Sequence, residues 1–138
     1  MGLNAMPNNL DIIRATYEGP SEENGKNLRA ALAPGATWKE ADGFPYAGTY
    51  VGPEQIVAGV FQRLATEWKD YRAQVHTYLA DGDRVAAFGV YSGTYLATGK
   101  SMSASFAHLY RLQHGKIVSM EQYVDSHQVQ LALQPACS

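Results

Sequence analysis

The sequence predicts an α+β domain in which helices come first and a long curved antiparallel sheet follows. Three observations carry this. Up to Trp68 apolar residues recur at spacings of three and four, whereas from Tyr71 onward they recur at a spacing of two. Turn signals at Ala80-Asp81-Gly82-Asp83, Thr98-Gly99-Lys100 and Gln113-His114-Gly115-Lys116 then cut the second half into the four strands of a meander.

The first helix starts near residue 9, behind an Asn8-Asn9 cap, with Leu10, Ile13 and Tyr17 on its buried face. Gly19-Pro20 breaks it, Ser21 to Gly25 reads as a polar connector, and Asn27 to Leu32 makes a short second helix ending at Ala33-Pro34-Gly35. Ala36 to Ala41 alternates as a strand, with Trp38 and Glu40 on one face and Thr37, Lys39 and Ala41 on the other. The stretch Asp42 to Gly52 is rich in glycine and tyrosine. It predicts a loop and a short strand whose Tyr46 and Tyr50 form a rim or lid. From Pro53 the residues Ile56, Val57, Val60, Phe61, Leu64 and Trp68 mark the clearest helix of the chain.

In the last hairpin Phe106, His108 and Tyr110 share one face, and Met120, Gln122 and Val124 share one face of the partner strand. The opposite faces hold Ala107, Leu109 and Arg111, and Ser119, Glu121, Tyr123 and Asp125. Both faces are largely apolar, so the hairpin is expected to be covered on both sides, the inner one around a cavity holding a few polar groups. A second copy packed on the outer face, over Leu109 and Tyr123, would give a homodimer.

With 138 residues, 46% hydrophobic and 17% charged, the chain fits one domain, 1–138, with loose tails at 1–7 and 134–138. The net charge is −2 and the eleven basic residues are scattered, which argues against nucleic acid or an anionic membrane as partner. No apolar run is long enough to span a bilayer and the N-terminus carries no secretory pattern, so a cytoplasmic protein is expected. Cys137 stands alone near the end, a poor place for a nucleophile, and the four histidines show no metal-ligand spacing. Nucleotide-cradling glycine loops and serine-nucleophile elbows are absent from the sequence, leaving cofactor-free acid–base work as the chemistry to expect.

The run Trp38 to Gly52, then Gly89-Val90-Tyr91-Ser92-Gly93, Thr98-Gly99-Lys100, Ala107-His108, Gly115-Lys116-Ile117 and Gln122-Tyr123-Val124-Asp125, resembles SnoaL-like proteins. These belong to the nuclear-transport-factor-2-like superfamily, with the ketosteroid isomerases and limonene epoxide hydrolases. The resemblance spans residues 8 to 133 and implies a cone-shaped, cystatin-like α+β barrel: a curved sheet wrapped around N-terminal helices, enclosing an apolar cavity. It implies an isomerase, cyclase or hydrolase acting on a small hydrophobic ring or polyketide-like substrate. A non-catalytic binding module or a dimerisation domain is the other outcome, because this fold hosts all three.

The resemblance also assigns roles. The general-base aspartate of the ketosteroid isomerases falls on Glu40, their oxyanion-side aspartate on His108, and their oxyanion tyrosine on Thr16 or Tyr17. SnoaL-type cyclases use an aspartate late in the last strand, which falls on Asp125. Strict alternation turns Asp125 away from Gln122, and only a bulge or strand end would bring it inward. Catalytic candidates are therefore Glu40, His108 and Asp125. Candidate substrate contacts are Tyr17, Trp38, Tyr46, Tyr50, Phe61, Phe106, Tyr110, Met120 and Gln122. Against these roles stand a rim carboxylate at Glu40, paired with Lys39 or Arg84, and a core histidine at 108 bonded to its neighbours.

Overall fold

The protein is described by a computed structural model covering residues 8–135. The N-terminal stretch 1–7, which carries no secretory pattern, and Cys137 lie outside the described residues. Helix α1 (Asn9–Arg14) begins where the Asn8 side chain accepts the Asp11 N–H at 2.8 Å. It is short and stops before Tyr17, which sits in the following turn rather than on a helix face. That turn is held by two asparagine side chains of the next helix, Asn27 Nδ2 donating to the Ala15 carbonyl at 2.9 Å. Asn24 Nδ2 donates to the carbonyls of Tyr17 (3.1 Å) and Gly19 (2.9 Å), and its Oδ1 accepts from the Gly19 N–H (2.9 Å).

Asn24 lies in helix α2 (Ser21–Ala31), so the stretch Ser21 to Gly25, expected as a connector, is the helix's first turn and a half. Composition misled here because Ser21, Asn24 and Gly25 lower helix propensity, while burial of Leu28 and Ala31 and the acidic first turn, Glu22 and Glu23, favour the helix. Strand β1 (Leu32–Glu40) follows without a gap, and Ala33-Pro34-Gly35 is strand rather than helix end. Pro34 cannot donate to a ladder, and the pairing of β1 with its neighbour slips between Leu32 and Thr37.

After β2 (Gly48–Val51), the expected long helix runs from α3 (Pro53–Ile56) through a wider π turn (Val57–Phe61) into α4 (Gln62–Glu67). The widened turn carries Gly59 beneath the Tyr50 ring, where an added Cβ would lie 2.2 Å from Tyr50 Cε1. Trp68 opens strand β3 (Trp68–Asp81) instead of closing the helix. The meander continues through β4 (Arg84–Tyr95), β5 (Ser101–Gln113) and β6 (Lys116–Val124), as the turn signals require. A last helix, α5 (Ser126–Leu133), was not foreseen; it buries Val129 and Ala132 and packs against β5 and β4.

The six strands form one curved, open sheet in the order β2-β1-β6-β5-β4-β3. It is mixed, not wholly antiparallel, because β1 runs parallel to β6. Strands joined by short turns must reverse direction, but β1 and β6 are separated by most of the chain and no hairpin constrains them. The register of β3 against β4 shifts between Lys69 and Arg72 and again between Val75 and Thr77, irregularities of the kind that bend a strand. The concave face and the helices bury one core that includes Ile13, Ile56, Val60, Val85, Leu112 and Ile117.

Alternation in the last hairpin holds. Met102, Ala104, Phe106, His108, Tyr110 and Leu112 are buried in turn. The convex face is different: Leu109 is 37% and Tyr123 53% exposed, so this chain alone does not cover both faces of the hairpin.

Candidate functional site

Between the concave face of the sheet, the turn after α1, helix α2 and the π turn lies a cavity of about 940 Å³. Its apolar wall includes Phe44, Val57, Val60, Phe61, Leu64 and Trp68; its buried or half-buried polar groups include Tyr17, Glu40, Tyr71, Tyr91, His108, Tyr110 and Gln122, and charged residues such as Glu18, Arg29, Asp70 and Arg72 also border it. The register explains why three of these stand in a row. Lys39 of β1 pairs with Glu121 of β6, and Gln122 of β6 pairs with His108 of β5, so Glu40, Gln122 and His108 occupy neighbouring strands at one level. Two strand spacings, roughly 10 Å, separate the backbones of Glu40 and His108.

His108, only 7% exposed, has both ring nitrogens engaged. Tyr17 Oη lies 2.5 Å from Nδ1, and Tyr91 Oη contacts Nε2. The line continues at both ends. Tyr17 Oη is 2.5 Å from Tyr110 Oη, while Gln122 Nε2 donates to Tyr91 Oη at 2.8 Å. Gln122 is oriented by the Ala41 N–H, which donates to its Oε1 at 3.0 Å. Burial pushes the His108 pKa down to about 3, so the imidazole is neutral at physiological pH. Burial likewise raises the hydroxyls of Tyr17, Tyr91 and Tyr110 above the ordinary tyrosine value, keeping their protons in place.

Proton counting then constrains the chain. A neutral imidazole has one donor and one acceptor nitrogen, so one flanking tyrosine donates and the other accepts. If Tyr91 donates to Nε2, Nδ1–H donates to Tyr17, Tyr17 donates to Tyr110, and the Tyr110 proton is left over. In the reverse tautomer Tyr110 donates to Tyr17, Tyr17 to Nδ1, Nε2–H to Tyr91, and the Tyr91 proton is left over. Either way the line keeps one surplus hydroxyl donor at a residue that borders the cavity. His108 itself offers no free nitrogen.

Glu40 is 3% exposed and forms no ion pair with Lys39 or Arg84. Its Oε2 is buried without a hydrogen-bond partner. Burial pushes its pKa up to about 8, opposed by the nearby Trp38 indole, which lies outside hydrogen-bond geometry. A carboxyl balanced in this way is mostly protonated at pH 7 and can both give and take a proton near neutrality.

The remaining expectations divide. Tyr17, Trp38, Phe61, Tyr110 and Gln122 border the cavity. Phe106 and Met120 are buried on the same face but lie behind it, Phe106 stacked on Tyr91 at 4.2 Å between ring centroids. Tyr46 and Tyr50 do not line it either. Tyr46 Oη donates to Glu67 at 2.8 Å and accepts from Trp68 Nε1 at 3.1 Å, and Tyr50 Oη donates to the Tyr46 carbonyl at 2.8 Å. The tyrosine-rich loop therefore braces α4 rather than forming a lid. Asp125 is exposed, outside the cavity, and caps α5 by accepting the Gln128 N–H at 3.4 Å. The chain turns into a helix at this point, and a cap must face the helix's first turn.

Tyr71 and Tyr91 were missed by the sequence reading. Tyr91 falls on the inward side of β4 by simple alternation, a signal available in the sequence. Tyr71 is turned inward by the bulge at Asp70, whose φ of 55° no pattern announced. Among the described residues no group of three or more His, Cys, Asp and Glu side chains is placed to hold a metal ion.

Solved structures matching this architecture share the nuclear-transport-factor-2-like fold. One from Burkholderia thailandensis E264, described as NTF2-like, is 39% identical, with 94% of this chain and 100% of that one aligned at a TM-score of 0.89. An NTF2-like protein of unknown function from Burkholderia pseudomallei K96243 is 25% identical over 94% of this chain and 99% of its own, at a TM-score of 0.82. TerC, co-crystallised with polyporic acid, is 23% identical over 91% of this chain and 97% of its own, at 0.79. Residues 13–120 match the SnoaL-like domain, and the chain belongs to that family. No protein of curated function matches it.

Proposed function

We propose that this SnoaL-like protein is a cofactor-independent acid–base enzyme, an isomerase, cyclase or hydrolase, acting on a small hydrophobic ring or polyketide-like substrate. The observation that carries the reading is Glu40: a carboxyl sunk in an aromatic wall, unpaired, with one oxygen partnerless beside a cavity. In its ionised form Glu40 takes a proton from a carbon next to a substrate carbonyl. The surplus hydroxyl of Tyr110 or Tyr91 donates to the oxygen on which charge then develops. His108 is a positioning residue here, since it holds Tyr17 and Tyr91 and carries the tautomer that decides which end of the line donates.

Polyporic acid, with which TerC was co-crystallised, is a natural first ligand to screen. On any substrate found, Glu40→Gln is expected to retain binding and to lower kcat by about 10²-fold or more. The wild-type kcat/KM should rise about tenfold per pH unit up to the Glu40 pKa near 8 and level off above it, and the variant should lose that rise. Full turnover by Glu40→Gln defeats the proposal. Tight binding with no turnover by either protein points to the non-catalytic binding module.

We further propose that the convex sheet face is a homodimer interface. The reading rests on exposed Leu109 and Tyr123 beside half-buried Phe88, Val90 and Ala107. Sedimentation at micromolar concentration should give twice the chain mass and Leu109→Lys the single mass; a wild-type monomer rejects the interface.

A further inference from the structure

Four buried side-chain polar atoms among the described residues lack a hydrogen-bond partner: Trp38 Nε1, Glu40 Oε2, Tyr71 Oη and Tyr78 Oη. Three of the four belong to residues that border the cavity. Buried polar groups are satisfied in nearly all native proteins, so three orphans around one space point to an absent group that satisfies them. The Trp38 indole sits beside the Glu40 carboxyl and lowers its pKa against the effect of burial, and the Glu40 charge in turn raises that of Tyr71.

The backbone is shaped to bring Tyr71 there. The β3–β4 register slips between Lys69 and Arg72, and inside the slip Asp70 adopts φ 55°, a conformation that residues other than Gly take only rarely. The turned-in Tyr71 ring then packs between Trp68, at 5.9 Å between centroids, and Tyr91, at 5.5 Å, with its hydroxyl free. Gly93 opposite leaves the room: a Cβ there would come within 3.2 Å of Tyr71 Cα.

We infer that Trp38, Tyr71 and Glu40 form a second ligand-oxygen site, separate from the Tyr91–His108–Tyr17–Tyr110 line. The ligand class is then a small ring system carrying oxygen functions at two separate positions. The chemistry fits an oxygen because Trp38 Nε1–H and Tyr71 Oη–H are both donors, and the Glu40 carboxyl accepts from a hydroxyl or donates to a carbonyl. The line through His108 spends all but one of its protons internally and meets the other oxygen with the one left over. This inference rests on the reading that the cavity holds a small ligand, but not on turnover.

Titration calorimetry on the full chain tests it, with 2-naphthol as the one-oxygen probe and 1,5-, 2,6- and 2,7-dihydroxynaphthalene as two-oxygen probes of different span. The quantity read is the ratio of affinities, best diol over 2-naphthol. In the wild type it is expected to be about tenfold, the worth of a well-made hydrogen bond in a dry site. In Tyr71→Phe, which keeps the ring and removes only the hydroxyl, it should fall to about one, and Trp38→Phe should lower it independently if Tyr71→Phe does not fold. No binding by any probe, equal binding of mono-ol and diols by the wild type, or an unchanged ratio in a folded variant overturns the second site. Since the ratio is a binding difference, it stands or falls whatever Glu40→Gln does to turnover.

Discussion

Chemical denaturation across pH should give a stability plateau between about pH 4.5 and 6.5, with losses on both sides of it. In the unfolded chain Glu40 gives up its proton near pH 4.5, whereas folded it holds the proton to about 8. Between those values the folded state binds one proton more, so stability falls as pH rises. His108 behaves in the opposite sense. Unfolded it takes a proton below about 6.5, but folded it refuses one down to about 3, so stability falls as pH drops through that window.

The two windows overlap between 4.5 and 6.5, where the slopes oppose and largely cancel. Of these two groups only Glu40 acts from 6.5 to about 8 and only His108 from 4.5 to about 3, each at up to about 1.4 kcal/mol per pH unit, while Glu67 and Asp83, whose pKa values are lowered in the fold, add to the acid loss. Urea melts of the wild type and of Glu40→Gln at half-unit steps from pH 3.5 to 9 check this. The variant should lose the alkaline decline, and with no Glu40 to offset His108 its acid decline should begin near pH 6.5 instead of 4.5. Superimposable wild-type and variant curves above pH 6.5 would show that Glu40 titrates as an ordinary carboxyl, and the acid–base reading would lose its base. Glu40→Leu should exceed wild-type stability at pH 8, because a buried charge without a partner costs more than an apolar side chain of similar size.

The second large effect is expected at Gly89. It lies on the concave side of β4, opposite the slip in β3 between Val75 and Thr77, paired with Phe106 of β5. A Cβ here would stand 2.1 Å from the Gln74 carbonyl oxygen and 2.9 Å from Phe106 Cζ. The carbonyl is backbone held in a ladder, so it cannot swing aside as a flexible side chain could. Gly89→Ala should therefore cost more than about 4 kcal/mol, or prevent folding. A melt within about 1 kcal/mol of wild type would mean that the bulge relaxes freely and that the curvature of β3 does not depend on this close approach.

How much of this was legible beforehand follows from the kind of force at each place. The period-two alternation from Tyr71 to Val124 and the period-three-and-four pattern from Pro53 are direct imprints of one-sided burial, so the meander, the long helix and the inward set Trp38, Glu40, His108, Tyr110 and Gln122 could be read from spacing alone. The family resemblance added the cone that these elements build, and the match over residues 13–120 agrees with it. Features that oppose local preference were not legible: helix α2 over Ser21–Gly25, stabilised by distant burial against its own composition, and the parallel pairing of β1 with β6, which no turn encodes.

For the site, the sequence by itself determined which side chains face inward wherever the pleat is regular, because alternation leaves no choice once one residue of such a strand is buried; at Tyr71 the bulge decided instead. Only the tertiary structure decided what those side chains meet. Both nitrogens of His108 are closed by tyrosines from the α1–α2 turn and from β4, residues 91 and 17 positions away in the chain. Tyr46 and Tyr50 are drawn to Glu67 and Gly59 instead of the cavity, and Asp125 is claimed by a helix start. Alternation fixes a direction from one backbone; hydrogen-bond partners come from whichever strand, turn or helix lies opposite, and that is set by the packing of the whole domain.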